Sequence, residues 1–258
     1  MNMKRLVMAC AAILTLTTTL AAANDGKRVP FSGIIDSPGN YVLQSDLRSL
    51  NNDRAAITIT ANDVTVDLNG LSLTGAGGKL GVGIMINGAQ GVRVSNGMIS
   101  KSAFGVIVMN SSNVALTNLQ IRGEGLPIVS LPPETGVMIV QSTNVVVEQN
   151  SIHNTGLGIF VRGGMSTGNR IANNTLTAGT NGVLGICYNP TAADANGPVG
   201  DLVYGNSISG FGVGIQASTM SRYNVFKGNT IFFNGSSAME LLNDTNMDMD
   251  NTKVDLAP

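Results

Sequence analysis

The amino-acid sequence predicts an all-β chain folded as a right-handed, single-stranded parallel β-helix, a solenoid of about eight coils. Three observations carry this reading. One apolar column, Leu71, Ile99, Ile121, Ile152, Leu176, Ile208 and Ile231, recurs at steps of 22 to 32 residues. Five positions before each member stands another apolar residue, in order Val66, Val94, Leu116, Val147, Ile171, Val203 and Phe226. Two positions before the first column, Asn150, Asn174, Asn206 and Asn229 each open the motif N-[ST]-[IL]. Two columns that agree over seven registers mark a repeat, and units this short without an amphipathic helix fit stacked strands.

In chain order, Lys4 and Arg5 followed by the apolar stretch Leu6 to Leu20 and the small residues Ala21 and Ala23 read as an export signal cleaved after Ala23. The stretch is too short and Thr-rich for a membrane span. Residues 24–53 are expected to cap the shaft, 54–243 to form it, and 244–258 to be a tail. The mature chain is thereby placed in the periplasm or outside the cell. It keeps Cys187 as its one cysteine, so no intramolecular disulfide can form and packing must hold the fold.

Within each unit a glycine, Gly83, Gly105, Gly136, Gly158, Gly182 or Gly214, opens a further strand and is read as freeing a tight corner. The β-branched Ile84, Val106, Val137, Ile159, Val183 and Ile215 follow and point inward. A second inward column, Ile86, Val108, Ile139, Val161, Gly185 and Ala217, narrows toward the last coils. The residues between them, Met85, Ile107, Met138, Phe160, Leu184 and Gln216, form an outward strip that Met109, Val140 and Ile186 widen. An apolar strip this long is expected to be covered. The cover would be the insertion at 123–135, with Leu126, Pro127, Ile128, Val129 and Leu131, or another chain, a homo-oligomer being the simplest case. A second loop leaves the shaft at 188–200. The repeated asparagines predict a ladder of amides running from coil to coil.

Charge is sparse and balanced, with 15 basic and 16 acidic residues and no tryptophan. No basic run or basic stripe studded with aromatics exists, which argues against a nucleic-acid partner. The best cluster for acid–base chemistry is Arg122, Glu124 and the only histidine, His153, since the repeat places Arg122 one coil below His153 and Glu124 beside an insertion. Glu148 with Arg170, and Asp67 with Arg93, are expected as outward charge pairs on adjacent coils. Arg162 is a cation in an outward column with Asn87, Met109, Val140, Ile186 and Ser218, able to read an anionic ligand or to pair with Glu134. With Phe160, Met138, Glu148 and Arg170 it completes the binding candidates. Asp244, Asp248 and Asp250 lie close together but lack the glycine and distal glutamate of a calcium loop, so neither a metal nor another cofactor is predicted. Cys187 is read as an inward, buried thiol.

The opening "PGNYVLQSDL" from Pro38, the segment "ITITANDVTVDLNGLSLTG" from Ile57 and the Asn-bearing coils resemble the right-handed β-helix proteins of the pectate-lyase-like superfamily. The resemblance covers Asn24 to about Asn243. It implies export and a polysaccharide partner, which many members bind, cleave or epimerise in a groove along the shaft. The calcium-binding acids of the lyases, the clustered aspartates of the hydrolases and the acid–histidine strand motif of the epimerases have no residue-by-residue match here. Two readings follow: a β-helix that binds or processes a polysaccharide, and a noncatalytic structural or protein-interaction solenoid with an apolar outer face.

Overall fold

The computed structural model describes residues 27–29, 33–49, 55–75, 81–124, 134–180, 182–189, 196–234 and 237–256. The export signal, its cleavage point, Leu126 to Leu131 and residues 190–195 of the second loop lie outside these residues. Those described form a right-handed parallel β-helix of about eight coils, with no helix among them. Each coil contributes three short strands. Strands such as Val146–Glu148 and Arg170–Ala172 stack into a first face, and Ser151–Thr155 and Thr175–Ala178 into a second. Arg93–Ser100 and Ala115–Arg122 pass unbroken through both faces, joining them in one 17-stranded sheet. Thr135–Val140 and Leu157–Arg162 belong to the third face, a separate sheet of nine strands.

The register follows the sequence columns, since every neighbouring pair from Val66 and Val94 to Val203 and Phe226 stacks in parallel register. All seven are fully buried. The other column holds from Ile99 to Ile231, but its first member is Leu73 and not Leu71. Asn69 and Gly70, at φ 53° and 72°, insert a turn closed by the bond from Leu71 N to Leu68 O, which delays the strand by two residues.

The third face needs one larger correction. Gly185, not Gly182, continues the glycine column, with Ile186 stacked between Ile159 and Ile215. The register therefore moves by three: Cys187 is the outward neighbour of Phe160, Tyr188 fills the inward place above Val161, and Asn189 follows Arg162. The core widens here instead of narrowing. Tyr188 meets Phe226 edge to face at 5.6 Å, while Ala217 above it makes room. These glycines are required for approach and not for turning, because a Cβ on Gly105 would lie 2.4 Å from Ile121 Cγ2 and 2.5 Å from the Gly136 carbonyl oxygen.

Two corners, five residues apart, shape each coil. At each, a residue with left-handed backbone precedes an inward one, as Gln149 (φ 58°) precedes Asn150 and Asn173 (φ 54°) precedes Asn174. The expected ladder forms: the Oδ1 atoms of Asn150, Asn174, Asn206, Asn229 and Asn251 each accept the backbone N–H one coil below. A second ladder, not anticipated, joins Asn169, Asp201, Asn224 and Asn246 at the other corner in the same way. Its signal was available as a spacing of five, in Asn169 to Asn174, Asp201 to Asn206, Asn224 to Asn229 and Asn246 to Asn251.

The strands continue into the stretch expected to be a tail, as Met247–Met249 and Thr252–Asp255. In this last coil the inward places above Phe226 and Ile231 are taken by Asp248 and Lys253. The two form an ion pair of 2.6 Å across the end of the shaft. Partial burial raises the Asp248 carboxyl, but bonds from Lys253 and Asn251 outweigh that and hold it below its ordinary range. A charged lid on an apolar core is how a solenoid ends without offering a sticky edge.

Candidate binding groove

Arg122, His153 and Thr177 occupy successive rungs of the second face, as the repeat predicts, at the sheet spacing of about 4.8 Å. The regular ladder breaks beside them. Asn154 bulges between His153 and Thr155 with φ 58°, and Lys101, two coils away, has φ 54°. Bulges re-aim neighbouring side chains and lie often beside sites. The Asn154 amide donates to Gly123 O at 3.0 Å, and Gly123 N donates to His153 O at 2.9 Å, tying the rim to the face.

Two adjoining depressions open at this bulge, of about 450 and 460 Å³, both lined by Met98, Arg122 and Asn154. The first adds Gln120, His153 and Thr177, and the second Ser100, Lys101 and Glu124. Together they make one open groove holding two cations, an imidazole, a carboxylate, amides and hydroxyls, a donor and acceptor set suited to a polyhydroxylated ligand. The His153 Nε2 is in close contact with Ser151 Oγ on the same strand, which fixes the ring. Beneath the rim the Glu134 side chain is buried and its Oε1 accepts the Glu124 N–H at 2.9 Å. The pairing of Glu134 with Arg162 therefore fails on position: Glu134 precedes the start of its strand, whereas Arg162 stacks beside Val140 at the far end.

The remaining sequence candidates lie on other faces. Glu148 and Arg170 pair at 2.5 Å on the first face, diagonally, since the rungs are Glu148 with Ala172 and Val146 with Arg170. Partial burial lowers the Arg170 pKa, but the Tyr204 hydroxyl at 2.8 Å and Glu148 outweigh it and raise the value above its ordinary range. Asp67 and Arg93 stand in the same diagonal relation, Asp67 stacking beside Ser95 and Arg93 beside Thr65. Met138, Phe160 and Arg162 lie on the third face, far round the coil from His153. The apolar strip there is shorter than expected, because Cys187 and Asn189 replace Leu184 and Ile186, and Gln216 bonds to Glu240 at 2.8 Å. Two outward members, Ile107 at 6% exposed and Cys187 at 2%, are nonetheless buried.

Met98, Lys101, Asn154 and Thr177 were missed as groove residues. Thr177 and Met98 sit in the same outward columns as His153 and Gln120 and could have been read from the repeat. The bulge at Asn154 has no such signal. Buried titratable groups also lie elsewhere. Burial pushes the Cys187 thiol up to about 12, which removes it as a nucleophile. Burial also raises the Asp201 carboxyl to about 7, against the lowering effect of two Asn169 donors.

The fold and groove define a parallel β-helix with a polar cleft on the sheet that follows its asparagine corner. Residues 55–252 match the family described as "Periplasmic copper-binding protein (NosD)", and the chain belongs to that family. No protein of curated function matches by sequence. Among solved structures, the chain is similar to the Dettilon tailspike protein, at 16% identity and a TM-score of 0.58, over 86% of this chain and 53% of that one. It is also similar to the enzymatically active domain of tailspike protein 2 of bacteriophage CBA120, at 12% identity and 0.52, over 89% and 38%. The chain thus spans about half or less of those proteins' lengths, and at these identities the likeness is one of fold.

The family description implies copper, which imidazole, thiolate or thioether groups would hold. Among the described residues no three His, Cys, Asp or Glu side chains come together as ligands. The single imidazole is engaged by Ser151, and Cys187 is a buried neutral thiol. Among the described residues the imidazole and the thiol therefore offer the ion no site.

Proposed function

We propose that this is an exported β-helix protein that binds a polysaccharide in the groove around Arg122, Glu124 and His153. The observation that carries the reading is the Asn154 bulge, which opens a polar cleft where the coil would otherwise present a flat sheet. A family described as periplasmic, and the resemblance to β-helices that hold glycans along the shaft, support the compartment and the ligand class. Arg122 and Lys101 would favour an acidic chain, with Gln120, Asn154 and Thr177 bonding hydroxyls. Should the bound glycan also be cleaved or epimerised, His153 is the acid–base group and Glu124 its partner.

A glycan array probed with the mature protein tests this, with Arg122→Ala and His153→Gln alongside. The expected result is binding to a subset of glycans that Arg122→Ala weakens by about tenfold, a change within the range for one charged hydrogen bond. Binding with unchanged strength in both variants removes the groove from the function. Any turnover of a bound glycan should vanish in His153→Gln while its thermal midpoint stays.

A further inference from the structure

On the first face, away from the groove, Tyr204 is anchored on the rung beside Ala172, and its hydroxyl accepts a bond from Arg170 Nη1, two residues back on that neighbouring strand. A ring fixed at both ends in this way lies along the sheet across Ala172. That explains why Ala172, though it points outward, is 0% exposed. The ring therefore has one face on the sheet and the other toward solvent. Leu202, on the same strand and 38% exposed, extends the apolar floor. Lys227 stacks on the next rung after Tyr204, and among the described residues its ammonium has no hydrogen-bond or ion-pair partner. The Glu148–Arg170 pair balances itself, so Lys227 is the uncompensated charge.

The corner beside this floor lacks a side chain at two successive coils, although at Gly205 a Cβ would lie 2.5 Å from Asn173 Oδ1. Its left-handed position carries Gln149 and Asn173 in the preceding coils and Asp250 in the following one, but Gly205 (φ 64°) and Gly228 (φ 59°) next to Tyr204 and Lys227. A Cβ at Gly228 would meet nothing within 4 Å. The result is a shallow depression of about 430 Å³ lined by Leu202, Tyr204, Gly205, Lys227 and Gly228.

We infer that this platform is a second saccharide site, in which a pyranose ring stacks on the open face of Tyr204 and its carboxylate pairs with Lys227. A flat aromatic face meets the C–H side of a sugar ring, and a lone cation one rung away selects an acidic one. Arg170, held by Glu148 and Tyr204, positions the ring and does not itself touch the sugar. The inference shares the ligand class of the groove reading but none of its residues.

The test is a calorimetric titration of the mature chain with trigalacturonate and with the neutral maltotriose. Trigalacturonate is expected to bind more tightly than maltotriose. Tyr204→Ala should lower that affinity by about tenfold, and Tyr204→Phe should retain most of it. Lys227→Gln, a surface change that leaves the fold intact, should abolish the preference for the acidic sugar and its salt dependence. No binding of trigalacturonate by the wild type, or wild-type affinity for it in both Tyr204→Ala and Lys227→Gln, overturns the inference. Affinity lost in Arg122→Ala but kept in Tyr204→Ala also overturns it while leaving the groove standing. The reverse pattern supports the platform and counts against the groove.

Discussion

Asp201 is 1% exposed and sits in a ladder whose other members are asparagines, so a charge has been placed where every neighbour carries a neutral amide. Its Oδ1 and Oδ2 accept from Asn169. Tyr188 feels its charge, yet the buried Tyr188 hydroxyl makes no hydrogen bond of ordinary geometry. Because burial raises the carboxyl from 3.8 to about 7, the folded chain holds this proton more tightly than the unfolded one. The stability that results is fully present below the ordinary carboxyl value near 3.8 and is lost as pH rises through about 7. The loss should be of order a few kcal/mol. Asp201→Asn is therefore expected to remove this component, leaving a variant more stable than the wild type near pH 8 and no more stable near pH 4. Chemical denaturation at both pH values measures it, and parallel pH dependence in the two proteins would show that Asp201 stays ionised in the fold.

The ladders are the elements that convert this repeat into a rigid shaft. Asn206 Oδ1 accepts both the backbone and the amide N–H of Asn174, and its own amide reaches Ile171 O at 3.0 Å. Asn206→Ala would orphan buried donors and a carbonyl acceptor on the coil below, at a cost of about 2–5 kcal/mol. An unchanged thermal midpoint would mean that the corner can repack without its amide.

At this scale the sequence was legible wherever one residue type repeats at one place. The Val66 to Phe226 column and the asparagine motif define the core and one corner without error because a single misplaced residue would bury a polar group. The third face was misread at Gly182 because two glycines three apart, Gly182 and Gly185, compete for one role, and only the fit of Tyr188 against Phe226 decides between them. The Arg122 to His153 rung was readable for the same reason as the core. The bulge at Asn154 was not, since it answers to the Gly123 carbonyl contributed by the adjacent coil. The second ladder escaped because its first members, Val114 and Val145, are apolar and hide the column's polar half.

Taken whole, the described residues form a shaft whose charged side chains, Glu134 and Asp201 apart, lie at its surface, its groove and its end. The Asp248–Lys253 pair lies where earlier coils put apolar residues. Replacing both, as Asp248→Val with Lys253→Ile, should extend the core to an exposed end and an open strand edge. Concentration-dependent end-to-end association, absent from the parent protein, is the expected outcome in sedimentation velocity. Identical sedimentation of parent and variant would mean that the pair does not protect the end.

The central claim is that the bulged groove on the second face receives a glycan. The most direct measurement is the map of backbone amide shifts in the isotope-labelled mature chain as it is titrated with the strongest array ligand. The account predicts saturable shifts clustered at Met98, Lys101, Gln120, Arg122, His153, Asn154 and Thr177, which line the two depressions. Shifts that leave these residues untouched and gather instead on the third face around Met138, Phe160 and Arg162 would contradict it.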